Sequence, residues 1–367
     1  MVYNELITKT KPSFYNRFCE FKNRFRIVLR TKWSISIICF LLLALAAIMF
    51  AFNIFYKKET SFLLDDKNEI VFDEADNPIL VTKYFRAWSD ITKTSESLRI
   101  YLFSPIAKIL VSISIPIAGY AIQITTQNKL SSPSTLGYVP ASILAYICTL
   151  AINPTNFYLT YVFGFIFSSF VILIKLVLQH TDSTNNKFKP VLIGFAISAL
   201  ISTIGVLISI LKPNLVNTSV IWTGELANAF EWEKLYVSAP LILACTLVFF
   251  ILSPKLKIMQ KDFILAKTLG INTKAVYWTV AVTTAILCIS TITISSPVFL
   301  LGLIIPNIVK VFFDRHDPLF VFCVCIIFSL ALNQTSLFIS INHNFSTNLL
   351  IAIIAFVVLL FMMRKRT

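Results

Sequence analysis

WSISIICFLLLALAAIMFAFNIFY (33–56) runs for 24 residues without a charged side chain. At 1.5 Å of rise per helical residue it reaches about 36 Å, more than the roughly 30 Å of a bilayer's hydrocarbon core. The 32 residues before it carry Lys9, Lys11, Arg17, Lys22, Arg24, Arg26, Arg30 and Lys32. A leader that long before an apolar run of this length, with further runs to follow, predicts a retained first transmembrane helix rather than a cleavable signal.

The same pattern recurs along the chain. Of its 367 residues 57% are hydrophobic and only 14% charged, and the mean hydropathy is +0.79. A soluble domain has nearer a quarter charged residues, so the chain cannot cover a water-exposed globule with polar surface. The reading is an all-α, polytopic membrane protein of about ten helices. Apolar runs place them near 33–56, 100–124, 134–152, 157–177, 190–211, 235–253, 275–295, 297–313, 318–335 and 347–363. Hydropathy alone gives nine or ten, because Ser295, Ser296 and Pro297 are the main break between spans seven and eight.

Charge sets the orientation. Cytoplasmic segments accumulate Lys and Arg. With the N-terminus inside and ten alternating spans, the inner segments and adjoining span ends hold 22 Lys and Arg against 6 Asp and Glu. The outer ones hold 9 against 12, and Lys108 stays within span two. Both termini then lie on the cytoplasmic side of a plasma membrane. The net charge of +14 reports this topology and contact with anionic lipid, not nucleic acid. The chain divides into a basic segment, 1–32, and a ten-span domain, 33–367.

Two connections stand out. The outer loop 57–99 clusters Asp65, Asp66, Glu69, Asp73, Glu74 and Asp76, and reads equally as a small cap or docking surface and as a plain connector. The inner connection PKLKIMQKDFILAKTLGINTK (254–274) mixes Ile258, Phe263, Ile264, Ala266 and Leu269 with Lys257, Lys261, Asp262 and Lys267. It predicts one or two short amphipathic helices, with Gly270 stopping the last after Leu269. Such a segment lies on the membrane surface or packs against a cytoplasmic motor.

Catalytic patterns are missing. His180, His316 and His343 sit in separate connections, and there is no HExxH, paired-carboxylate spacing or Walker loop. The seven cysteines include no CxxC pair, so no metal ligand set is expected. Lys108 is expected to snorkel to the outer interface. Polar residues inside the spans are mostly Ser, Thr, Asn and Gln, which pack helices or line a wet passage without selecting a coupling ion. This argues against a membrane enzyme, and for a pathway driven by another subunit over an ion-coupled transporter acting alone.

Four stretches, in order, resemble the permease subunits of iron–siderophore, haem and cobalamin ABC importers. They are LRIYL (98–102), AGYAIQITTQNKLSSPSTLG (118–137), AKTLGI (266–271) and SPVFLLGLIIPNIVK (296–310). Gly119, Gln123, Asn128, Leu130, Pro133, Leu136, Gly137, Gly302, Leu303 and Pro306 match the family pattern. Leu102, Asn307, Lys310 and Ser296 depart from it, where the family carries Arg, His, Arg and Gly.

The resemblance implies ten spans per subunit and a permease dimer, homo- or heteromeric, with its pathway on the dimer axis. It implies two cytoplasmic ATPases that use ATP and bind near 258–272, here through Lys261, Ala266, Leu269 and Gly270. It further implies an external binding protein or lipoprotein docking at Arg99, pathway roles for Gln123 and Asn128, and structural roles for Gly119, Pro133, Gly137, Gly302 and Pro306. No cofactor is implied in this chain, and the cargo is an iron complex such as a siderophore, haem or a related metal chelate.

Overall fold

The computed structural model describes residues 32–62, 80–85, 102–180, 189–212, 232–295, 300–313, 317–343 and 348–354. The expected runs become helices, in the order α1 (Lys32–Phe55), α2 (Ser104–Thr125), α3 (Tyr138–Ile152), α4 (Tyr158–His180), α5 (Lys189–Leu211), α6 (Trp232–Lys261), α7 (Phe263–Thr268), α8 (Thr273–Ile294), α9 (Leu301–Phe313) and α10 (Pro318–His343). Residues 348–354 are also helical. Among the described residues seven helices are long and apolar enough to cross a membrane; α3 and α9 are shorter apolar helices. The all-α polytopic reading stands. Beside it, β1 (Tyr56–Phe62) and β2 (Leu80–Phe85) pair antiparallel, with Thr60 opposite Thr82 and Phe62 opposite Leu80. The outer loop therefore begins on a short ribbon that continues directly from α1. The basic segment before Lys32 lies outside the described residues.

The assembly is organised around α2, which packs against α1, α6, α8, α9 and α10. Nearly all of its residues are buried, including Ile117, Ala118, Tyr120 and Ala121. A second group, α3, α4 and α5, joins through α8. By contrast α1, α4 and α5 turn large apolar side chains outward, among them Phe40, Leu41, Phe165, Leu192 and Leu211. In water such surfaces would drive aggregation; in lipid they are the solvated face.

Many of the buried hydroxyls are satisfied locally. Ser114 Oγ donates to Leu110 O, Ser142 to Tyr138 O, Thr149 to Ala145 O and Thr246 to Ile242 O. Each returns its proton to the preceding turn, which lets these Ser and Thr sit in a span with their hydroxyls paired, whereas Ser104 Oγ and Ser168 Oγ are buried without a hydrogen-bond partner. Two positions with longer polar side chains cross between helices instead. Asn53 Nδ2 of α1 donates to Gln334 O and Oε1 of α10, and Gln334 Nε2 donates to Pro105 O of α2. One layer away, Asn333 Nδ2 donates to Ser112 Oγ, which itself donates to Lys108 O and Ser329 O.

The inner connection differs from its expected form. α6 continues through Pro254 to Lys261, beyond its apolar stretch, so only the six-residue α7 is a separate helix. Proline there removes one ladder hydrogen bond without ending the helix. Asp262 caps α7 by accepting from Ile264 N–H. Cys323 and Cys325, two residues apart on α10, point to different sides, the first exposed and the second buried.

Candidate functional site

The motif residues of α2 and α9 meet. Gly119 and Gly302 face each other so closely that a Cβ on Gly119 would lie 1.9 Å from Gly302 O. A Cβ on Gly302 would come within 2.9 Å of Pro133 Cδ and 3.0 Å of Ile115 O. Two backbones thus touch with no side chain between them, and the turn after α2 seals the contact through Pro133. Gly137 is the N-cap of α3 with φ +90°, a left-handed geometry that disfavours any Cβ. Pro306 lies inside α9, one turn from the crossing. Gly194 of α5 belongs to the same construction: a Cβ there would sit 2.4 Å from Thr135 O. Sequence reasoning passed over Gly194, because a glycine inside an apolar run gives no sign of what packs on it.

Past the crossing, the C-terminal ends of α2, α6 and α9 share a polar cluster. Lys310 Nζ of α9 donates to Gln123 Oε1 at 2.8 Å and lies 4.3 Å from the centre of the Tyr120 ring. Tyr120 OH donates to Gln260 Oε1 of α6 at 3.3 Å. Asn307 Nδ2 donates to Leu303 O and to Lys129 O, tying α9 to the turn after α2. Asn128 Oδ1 accepts from Leu130 N–H and shapes that turn. Gln123 is therefore brought to a cation, while Asn128 acts within its own loop. Lys310, Tyr120 and Gln260 escaped the sequence reading as partners, although Lys310 was visible as a basic residue in the matching motif position.

Alongside lies an open groove of about 330 Å³ lined by Lys257, Gln260, Lys261 and Asp317, with Lys257 Nζ 3.3 Å from Asp317 Oδ2. Next to it α7 buries Ala266 but exposes Ile264, Leu265 and Leu269. The helix ends in two reversed hydrogen bonds, Ile271 N–H to Ala266 O and Gly270 N–H to Lys267 O, with Gly270 at φ +79°. This paired closure needs a left-handed residue after the last turn, which glycine supplies. The residues named for motor coupling thus sit on one protruding element: Lys261 at its root, Ala266 anchored, Leu269 outward, Gly270 as its stop.

Lys108 corrects an expectation. It does not snorkel: it is 1% exposed, and its Nζ has no hydrogen-bond partner. It lies near the start of α2 with its side chain enclosed by the helix assembly. Arg99, expected at a docking surface, lies outside the described residues. Among the described residues no group of three His, Cys, Asp or Glu is placed to hold a metal ion.

A family model described as the FecCD transport family matches residues 70–365. The Fe(3+) dicitrate transport system permease protein FecC of Escherichia coli (strain K12) is 22% identical over 216 residues, 58% of this chain and 65% of that protein. The probable heme-iron transport system permease protein IsdF of Staphylococcus aureus (strain Newman) is 27% identical over 203 residues, 55% of this chain and 60% of that protein. The chain thus spans less than two thirds of the length of either relative. Among solved structures, a chain assigned to a metal-chelate type ABC transporter in an inward-facing conformation superposes with a TM-score of 0.67. It is 18% identical, and the match covers 89% of this chain and 99% of that one. PsaBC from Streptococcus pneumoniae in complex with Fab gives a TM-score of 0.51 at 16% identity, over 74% of this chain and 94% of that one. These structures share the fold, that of a polytopic permease.

Proposed function

The chain belongs to the FecCD transport family, and on that premise we propose that it is the transmembrane permease subunit of an ABC importer for an iron complex. A siderophore, haem or a related metal chelate is the cargo. A second permease subunit, two cytoplasmic ATPases that consume ATP, and an extracytoplasmic binding protein or lipoprotein complete the machine. The family is one of transport permeases, not enzymes, which fits the scattered histidines and the lack of a catalytic cluster.

The observation that carries this reading is α7. A six-residue helix anchored by Ala266 and closed at Gly270 presents Ile264, Leu265 and Leu269 beside a groove of lysines. Apolar side chains ringed by charge are what a protein partner buries. In the proposed topology this end is cytoplasmic, with α3, α9 and the helix beginning at 348 completing ten spans. The docking partner is then an ATPase, and Arg99 faces the binding protein on the other side, where rim charges set encounter and register.

The test is co-expression with the ATPase subunit of an iron-chelate importer from the same organism. The wild-type chain co-purifies with the ATPase and supports ATP-dependent uptake of radioactive iron chelate, whereas Gly270→Pro and Leu269→Asp lose both. Unchanged uptake in both variants sinks the coupling assignment. The second reading, an ion-coupled transporter without an ATPase, is favoured by one feature, the buried unpartnered Lys108, since intramembrane ionisable residues are usually functional. It requires gradient-driven uptake by the chain alone in liposomes, indifferent to ATP.

A further inference from the structure

The helix assembly takes in cations and no anions. Among the described residues, Lys108, Lys175 and Lys234 are each at most 5% exposed, and no Asp or Glu is buried. Lys175 rests against the face of Tyr138, 4.4 Å from its centre. Lys310 is partly buried, and its partners are a neutral amide and a neutral ring. A desolvated ammonium gains far more from an anionic acceptor than from these.

The amide beside it points the same way. Lys310 Nζ donates to Gln123 Oε1, which fixes the amide orientation, because the flipped form would set NH₂ against an ammonium. Gln123 Nε2 is then turned away, buried and without a hydrogen-bond partner. Gln123 Nε2 is thus a donor without an acceptor, next to an ammonium that has a neutral amide oxygen, not an anion, as its acceptor. Lys129 brings further positive charge to the spot, and its carbonyl is already taken by Asn307. The acid of the adjoining groove, Asp317, is held by Lys257.

We propose that Lys310 and Gln123 form a receiving site for a carboxylate of the transported complex, so that the permease favours polyanionic iron chelates over neutral ones. The site rests on the permease reading above. One carboxylate oxygen accepts from Lys310 Nζ and the other from Gln123 Nε2, which gives the ammonium an anionic acceptor and the orphaned amide donor a partner. The position suits the passage of cargo. It lies one turn past the Gly119–Gly302 contact and one hydrogen bond, Tyr120 to Gln260, from the open groove.

The experiment uses the full chain in nanodiscs of phosphatidylcholine, with ferric citrate as the carboxylate probe and ferrichrome as a neutral hydroxamate probe. Ferric citrate binds the wild type, and Lys310→Met weakens it at least about tenfold, as loss of a charge-assisted hydrogen bond requires. Lys310→Arg stays close to wild type. Gln123→Glu supplies the missing carboxylate internally, so it abolishes citrate binding while the thermal midpoint holds or rises. That separates a lost site from a misfolded chain. Ferrichrome responds to none of these changes.

Citrate binding that survives both Lys310→Met and Gln123→Glu overturns the proposal, as does a Lys310 dependence shared by ferrichrome. A third arm replaces part of the lipid with phosphatidylglycerol; Lys310-dependent binding of that lipid, with citrate unaffected, assigns the site to a headgroup phosphate and also overturns it. ATP-dependent uptake in cells separates the two levels. No uptake of any iron chelate, with citrate binding still dependent on Lys310, removes the permease reading and leaves the site; uptake indifferent to Gln123→Glu does the reverse.

Discussion

Two glycines near the functional end serve opposite needs. Gly119 supplies space: Gly302 O occupies the volume its Cβ would take. Gly270 supplies conformation, since its φ is +79° and nothing lies within 4 Å of a Cβ there. Gly119→Ala forces α2 and α9 apart and costs about 1–3 kcal/mol, as overpacking does. We expect a lowered thermal midpoint in detergent and loss of iron uptake. Gly270→Ala strains only the local backbone, by roughly 1–2 kcal/mol, and leaves that midpoint nearly unchanged while weakening ATPase co-purification. Gly270→Asn, which tolerates the left-handed region, restores part of the association. The motif match named both glycines, but their difference was invisible in sequence, because it lies in whether another backbone arrives.

At the scale of elements, hydropathy read the helices well and their neighbours poorly. Each of the first nine expected spans falls on one helix, with ends shifted by a few residues apart from the extensions of α6 and α10. The missed points are those that packing decides. Lys108 was expected to reach the interface, yet the helix assembly encloses it, and a residue's distance from a helix end says nothing about what lies across from it. The extension of α6 through Pro254 was missed because its lysine-rich residues carry no membrane signal, although they still support a helix. The seam joining α1, α2 and α10 was equally hidden, since Asn53 and Gln334 are 281 residues apart. Gln334→Leu removes one of the two acceptors of the Asn53 amide and the side-chain donor to the Pro105 carbonyl, and is expected to destabilise the chain by about 1–2 kcal/mol. Adding Asn53→Leu recovers part of that loss, a coupling that a double-mutant cycle on the thermal midpoint measures.

For the whole molecule, composition was enough to assign a membrane protein, and seven long apolar helices confirm it. The remaining helices are harder to read. α9 has 13 residues, about 20 Å of helix, and so falls short of the hydrocarbon thickness. Its recognition depended on motif and charge, because a helix buried among others need not match the bilayer. The sidedness proposed from the basic segments is directly testable. In a chain with its native cysteines replaced, Leu269→Cys is expected to react with an impermeant maleimide only when inverted vesicles or permeabilised cells are used. Thr155→Cys, at an exposed position between α3 and α4, reacts from outside intact cells. The reverse pattern turns the topology over.

The contact of Gly119 with Gly302 has one more consequence, for motion. Side chains that interlock have rotamers to change and gaps to open, whereas two touching backbones have neither. The place where α2 meets α9 is therefore a fulcrum: the helices tilt about it but do not part there. Tilting moves the arms on either side in opposite senses, so widening at the Lys310 end narrows the far end. A pivot of bare backbone predicts that spin labels on the two arms report distances that change with opposite sign.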